Sequence, residues 1–198
     1  MQTNNAFTVT ATATATAAIA TTTPRALQLS DLAQLALAVR AGHQPSTIFD
    51  AVHALAAEVI GFKLFTIMYF DADCFEVERL FTNMPAIYPL SGRKKKRGSA
   101  WGEHTLRLMK PFRATHPDGI RQAFDDHETL IEGLGLGSIL NIPIAYDGKC
   151  VGTMNLTHVE GWYREEHEQI GVLLGSFLAA PLAMHAIAAM PAAQPLVP

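Results

Sequence analysis

The sequence predicts an α+β fold: an antiparallel sheet with N- and C-terminal helices on one face and a capped pocket on the other. Three observations predict it. Two amphipathic helical stretches lead into a hairpin pattern, a second hairpin is centred on Asp147-Gly148, and a long apolar helix closes the folded part. The length agrees, because 198 residues with 49% hydrophobic and 17% charged side chains suffice for one well-buried core and fall short of two ordinary domains.

Residues 1–25 are almost wholly Thr, Ala and Asn, with a Thr-Ala alternation from Thr8 to Ala17, and are expected to be a disordered arm. The domain is expected over 26–188, with 189–198 a Pro-containing tail. Ser30 can cap a helix through about Ala41, and Pro45-Ser46-Thr47 opens a second whose apolar positions Ile48, Val52, Leu55, Val59 and Ile60 recur at helical spacing. Lys63 to Phe70 is rich in β-branched and aromatic residues. After the turn Asp71-Ala72-Asp73, the stretch Phe75 to Phe81 sets Phe75, Val77 and Arg79 against acidic neighbours, completing a hairpin. A loop is expected over Thr82–Ser99, then a short helix over Trp101–Met109, an extended piece over Pro111–Thr115 and a helix over Asp118–Glu132, ended by Gly133, Gly135 and Gly137. Ser138 to Ala145 and Lys149 to His158 read as strands around Asp147-Gly148, both of which tolerate the positive φ of a tight hairpin turn. Arg164 to Ile187 is a long apolar helix that Pro181 must kink or end.

Composition also excludes. A formal charge of -3 and a pI near 6.2 argue against a nucleic-acid partner, which requires an excess of Lys and Arg. No run approaches the roughly 18 apolar residues of a membrane span, and the N-terminus lacks a basic secretory n-region, so a cytoplasmic location and no membrane partner are expected. Cys74 and Cys150 lie far apart and read as small buried hydrophobes. The eight histidines form no HxH or HExxH, so no metal site is predicted, and without a Walker loop or nucleophile elbow no cofactor is predicted either.

The segment Ser138-Ile139-Leu140-Asn141-Ile142-Pro143-Ile144, then Asp147-Gly148-Lys149-Cys150-Val151-Gly152-Thr153-Met154-Asn155-Leu156, then Trp162-Tyr163 and a helix beginning near Glu165, resembles the second half of GAF domains. The resemblance covers Gln44 to Met184, and its general layout is shared with PAS domains. It implies binding of a small molecule, typically a cyclic nucleotide, tetrapyrrole, amino acid or other metabolite, in a regulator. Cys74 and Cys150 sit away from the cap, between Thr82 and Gly137, where the resemblance would place the thiols of free methionine sulfoxide reductases or of covalent bilin binders, so neither activity is expected.

Candidate pocket residues follow from helical and strand spacing. Ile120, Phe124, His127, Leu130, Ile131 and Leu134 share one face of the predicted helix, and Trp101, His104, Thr105 and Leu108 share one on the preceding short helix. Indole and imidazole side by side suit a planar ligand. A two-residue turn at Asp147-Gly148 would place Asn141, Cys150, Gly152, Met154 and His158 on one hairpin face and Thr153, Asn155 and Thr157 on the other; the pattern does not decide which face lines the pocket. A buried Asn141 or Asn155 either contacts ligand or brackets a neighbouring loop. The block Arg93-Lys94-Lys95-Lys96-Arg97 is either a solvated loop or a cover that attracts an anionic ligand.

Two functions are therefore open. In one, Trp101, His104, Phe124, His127, His158 and a hairpin Asn enclose a planar or anionic metabolite, and the protein is a sensor or regulatory subunit, dimerising through Leu32, Leu35 and Leu37 with Leu173, Phe177 and Leu182 of the terminal helices. In the other, His127 or His104 is the general acid or base of a small-metabolite hydrolase, isomerase or ring-opening enzyme.

Overall fold

A computed structural model describes residues 23–189, so all but the end of the Thr/Ala-rich arm and all but the start of the C-terminal tail lie outside the described residues. The element order is α1 (Leu29–Arg40), α2 (Ser46–Val59), β1 (Leu64–Asp71), β2 (Glu76–Thr82), β3 (Arg93–Lys95), β4 (Phe112–Ala114), α3 (Pro117–Ala123), β5 (Ser138–Tyr146), β6 (Lys149–His158), α4 (Glu165–Ser176) and α5 (Ala179–Ala189). Two π-helical segments, Gly102–Arg107 and Thr129–Gly133, flank β4 and α3. The six strands form one antiparallel sheet in the order β3-β2-β1-β6-β5-β4.

Strand alternation divides the molecule into two layers. Leu140, Ile142 and Ile144 of β5 and Met154 and Leu156 of β6 join Val52, Ala56 and Val59 of α2 and Leu174 of α4 in one core on the helical face of the sheet. Each such side chain, fully buried, contributes about 1.5–3 kcal/mol over leaving it in water. On the opposite face the apolar residues fall into two smaller clusters, one around Leu64, Ile120 and Leu136 and one around Val77, Trp101 and Leu106. The cavity described below lies on that face.

The last hairpin turns at Asp147 (φ 48°) and Gly148 (φ 70°), as its sequence requires. Its register differs from a plain ladder. A bulge between Ile144 and Ala145 sets Ile144 opposite Gly152 and Ala145 opposite Cys150, so Asn141 pairs with Asn155 rather than with Met154. The expected grouping of Asn141 with Gly152 and Met154 is thereby corrected: Asn141 shares the cavity face with Asn155 and Thr157. Gly152 is needed here, because an added Cβ would overlap the Met68 carbonyl of β1 and stand 2.8 Å from Leu182 Cδ1 of α5.

Three further expectations are corrected. The basic block is not wholly loop, because Arg93–Lys95 pairs with β2 as an edge strand. The helix expected over Asp118–Glu132 is broken: α3 ends at Phe124, whose backbone is extended (φ -135°, ψ 133°), and the chain resumes as a π-helical turn. The long last helix bends by 50° between α4 and α5, as Pro181 led the sequence to expect, since proline lacks the N–H that would continue the ladder to Phe177. Cys74, in the turn after Asp71 to Asp73, is exposed rather than buried; Cys150 is buried, and its thiol is pushed up to about 11 by that burial. Of the terminal-helix residues, Leu35 and Leu182 belong to the core, Leu32 and Phe177 are half-buried, and Leu37 and Leu173 are exposed. No single helix among the described residues is long and apolar enough to cross a membrane.

Candidate binding cavity

On the sheet face away from the helices, β1, β2, β5 and β6 form a floor, and the segments around Tyr88, Lys96, Trp101 and Phe124 to Leu130 close over it. The void is about 70 Å³ and partly open to solvent, well below the roughly 300–1,000 Å³ of sites for drug-sized ligands. Only a small molecule fits it.

The floor and one wall are tied by a continuous hydrogen-bond relay. Trp101 Nε1 donates to Asn141 Oδ1 (2.9 Å), Asn141 Nδ2 donates to Asn155 Oδ1 (2.8 Å), and Asn155 Nδ2 donates to Thr66 Oγ1 (3.2 Å) and Thr153 Oγ1 (3.1 Å). Asn141 is 1% exposed and Trp101 4%, so each amide finds its partners inside the protein, where an unpartnered one is costly. The relay links the cap to β5, β6 and β1 and holds the indole as one wall. Phe124 extends that wall, its ring 5.6 Å from that of Trp101.

The second wall is cationic. In β2 and β3, alternation sends Glu76, Glu78 and Arg93 to the outer face, where Arg93 pairs with Glu78 at 2.8 Å and Glu76 at 3.6 Å; Val77, Arg79, Lys94 and Lys96 line the cavity. Lys94 Nζ bonds Asp126 Oδ2 at 2.8 Å. Lys96 is buried between two rings, with Nζ 5.2 Å from the centre of Trp101 and 5.7 Å from that of Phe124, a cation–π setting. Burial, and next the neighbouring Lys94 charge, hold its ammonium below the usual lysine range. Arg79 lies over Tyr88, 5.1 Å from ring centre to Cζ, and donates from Nη1 to the Pro89 carbonyl (2.9 Å). Its Nε and the Tyr88 hydroxyl are buried with no hydrogen-bond partner among the described residues. Burial, then the Asp126 charge, push the Tyr88 hydroxyl up to about 12, so it stays a neutral donor.

Of the residues expected in the site, Trp101, Phe124, Asn141 and Asn155 meet in this cavity. His104 does not line it; it faces a larger and more open depression, about 570 Å³, shared with Trp101, Phe112 and Gly119, and its Nε2 sits 3.0 Å from the Pro111 carbonyl. His127 is half-buried, outside the lining, because the break after α3 removes it from the helical face that spacing gave it. His158 stacks on Trp162 at 3.7 Å and accepts the Val159 N–H at Nδ1 (2.8 Å); burial, and next the Lys63 charge, lower it to about 4. Sequence reasoning passed over Arg79, weighed Lys96 only within the basic block as a cover for an anionic ligand, and passed over Tyr88 and Thr66 as site residues. The signal for the first two was present in the alternation of Glu76–Arg79 against Arg93–Arg97, which sorts both strands into an ion-paired outer face and an inner face with surplus positive charge.

A family model for the GAF domain matches residues 44–182. The chain belongs to the GAF domain family. Its fold is similar to the GAF domain of a phosphoenolpyruvate-protein phosphotransferase from Coxiella burnetii, at 21% identity and TM-score 0.65 over 82% of this chain and 96% of that one. It is also similar to the corresponding GAF domain from Acinetobacter (14% identity, TM-score 0.65, 83% and 97% covered). A third similar fold is the nlh2 GAF domain of A. aeolicus in an inactive state (12% identity, TM-score 0.60, 79% and 95% covered). At these identities the likeness concerns the GAF fold. A comparison with curated proteins gives no match. GAF domains are small-molecule-binding sensory and regulatory domains.

Proposed function

We propose that this GAF domain binds a small planar or anionic metabolite in the cavity beside Trp101 and acts as a cytoplasmic sensor or regulatory subunit. The carrying observation is the relay from Trp101 through Asn141 and Asn155 to Thr66. A prepositioned aromatic wall in a mainly apolar void with a few convergent polar groups suits ligand recognition, because little ordering remains for binding to impose. The two histidines weighed as acid–base catalysts lie outside the cavity lining, which favours binding over catalysis. Trp101, Phe124, Asn141 and Asn155 are its proposed ligand-binding residues.

A route for signalling follows from β6. Asn155 and Thr157 border the cavity, while Leu156 between them and Met154 just before them pack on the helices, so a shift of this strand on binding reaches the helical layer. Exposed Leu37, Val172, Leu173, Met184 and Ile187 on α1, α4 and α5 make that layer the proposed homodimer surface.

Native mass spectrometry of the full chain, before and after exposure to a metabolite extract, tests the reading. A bound mass below a few hundred daltons, lost in a folded Trp101→Ala variant, is expected. Turnover of an added metabolite with no stable complex would overturn it in favour of an enzyme.

A further inference from the structure

We propose that the ligand of this cavity is a small planar dianion, an unsaturated or aromatic dicarboxylate held between Arg79 and Lys96. The inference rests on the binding reading above and names the ligand class. Three cations, Arg79, Lys94 and Lys96, line the cavity against a single carboxylate, Asp126. Asp126 is committed to Lys94, which leaves two buried cations without an ion pair among the described residues. An isolated buried charge is among the most costly groups a protein can hold, and the usual remedy is pairing. Arg79 is 5% exposed and Lys96 8%. Bulk water therefore does little to neutralise either.

Position along the ladder sets the spacing of the charges. Val77 pairs with Lys94, so Arg79 lies two residues beyond this pair in one direction and Lys96 two residues beyond it in the other. Four residues of strand place their Cα atoms about 13 Å apart along the sheet, and both long side chains line the same void. A ligand with a carboxylate at each end matches two cations arriving from opposite ends. At one end Arg79 Nε and the Tyr88 hydroxyl supply unused donors. At the other, the Lys96 backbone is fixed by its N–H to Phe75 O (3.0 Å) and by the Ser99 hydroxyl on its carbonyl (2.9 Å), so its side chain enters the cavity from a fixed point on the wall. Between them, Trp101 and Phe124 offer faces to a flat carbon skeleton.

The test is thermal shift and calorimetry on the full chain with fumarate and terephthalate, each against its neutral diamide, and with inorganic phosphate. Either dicarboxylate is expected to bind at least tenfold more tightly than its diamide and than phosphate. Lys96→Met is expected to abolish that preference while raising the melting temperature of the ligand-free protein, because it removes an unpaired buried cation; Lys96→Arg is expected to keep the preference. Diamides that bind as well as the diacids would overturn the charge argument and leave the cavity reading standing. Phosphate binding as tightly as the diacids would overturn the planar skeleton. If neither class binds and nothing co-purifies, the cavity reading itself fails. A Lys96→Met protein that is less stable than wild type would show that Lys96 is a packed structural cation, and would also overturn the proposal.

Discussion

Asn141→Leu is the sharpest probe of how this domain holds its ligand wall. The substitution keeps the branched shape and heavy-atom count of the asparagine side chain, though not its smaller volume, and removes both roles it plays: acceptor to the Trp101 indole and donor to Asn155. The indole N–H and Asn155 Oδ1 are then left unpartnered in a site where Trp101 and Asn155 are 4% and 9% exposed. Each orphaned group costs about 1–3 kcal/mol, and the added apolar burial of leucine returns part of it, so a net loss of about 2–4 kcal/mol is expected. For a domain of this size that corresponds to a fall in melting temperature of roughly 5–15 °C. Urea denaturation of Asn141→Leu, Trp101→Phe and the double variant tests the mechanism as well as the size. Trp101→Phe alone orphans Asn141 Oδ1, whereas in the double variant the indole–amide bond is lost once from both sides, so the two costs fall short of additivity by about 0.5–3 kcal/mol. Additivity within about 0.5 kcal/mol, or a single variant as stable as wild type, refutes the relay as the device that positions the wall.

Gly152→Ala drives a methyl group into the Met68 carbonyl between two central strands, and a loss of about 1–3 kcal/mol or more in urea denaturation is expected; a neutral outcome would mean that β1 and β6 separate freely there. His158 binds no proton in the fold until about pH 4, whereas the unfolded ring titrates near 6.5, so its contribution is full above about pH 6.5 and is lost as pH falls toward 4. That contribution is about 1–2 kcal/mol once solvent screening is allowed for, and His158→Gln is expected to flatten the melting-temperature profile between those limits; an unchanged profile would assign the acid sensitivity to His53 and His167, which burial also lowers. One thiol, Cys74, is expected to react with a thiol reagent in the native protein and two after denaturation; equal rates for both would contradict the burial of Cys150 and its raised thiol.

The fold was legible because its strongest signals are local. Asp147-Gly148 needs only two positive φ values to turn a hairpin, and the spacing of Val52, Leu55 and Val59 needs only one sheet to bury against. What lay hidden depends on registers and breaks. A single bulged residue near Ala145 moved Asn141 from the partner of Met154 to the partner of Asn155, and no composition rule marks a bulge one turn away from a good hairpin. The same holds for α3. Phe124 and His127 are three residues apart and would share a helical face, but the chain straightens at Phe124, so one ring enters the cavity and the other does not. Asp126, in that break, bonds Lys94, a partner on an edge strand whose existence the polar loop did not announce.

The basic block shows why the site was harder to see than the fold. Read as five consecutive cations, Arg93 to Arg97 is a solvated loop, the commoner meaning of such a run, or a cover that attracts an anionic ligand. Read as a strand, it is sorted by the pleat: Arg93 meets Glu76 and Glu78 outside, and Lys94 and Lys96 turn inward. Glu76 and Glu78 pair with Arg93 on the outer face and Asp126 pairs with Lys94 on the inner one, which leaves Lys96 without an ion pair among the described residues. The charge that matters for binding is therefore not the block's total but what remains on the cavity face after the outer face has been paired, and that remainder, with Arg79 added from β2, is the positive excess a small dianion would match.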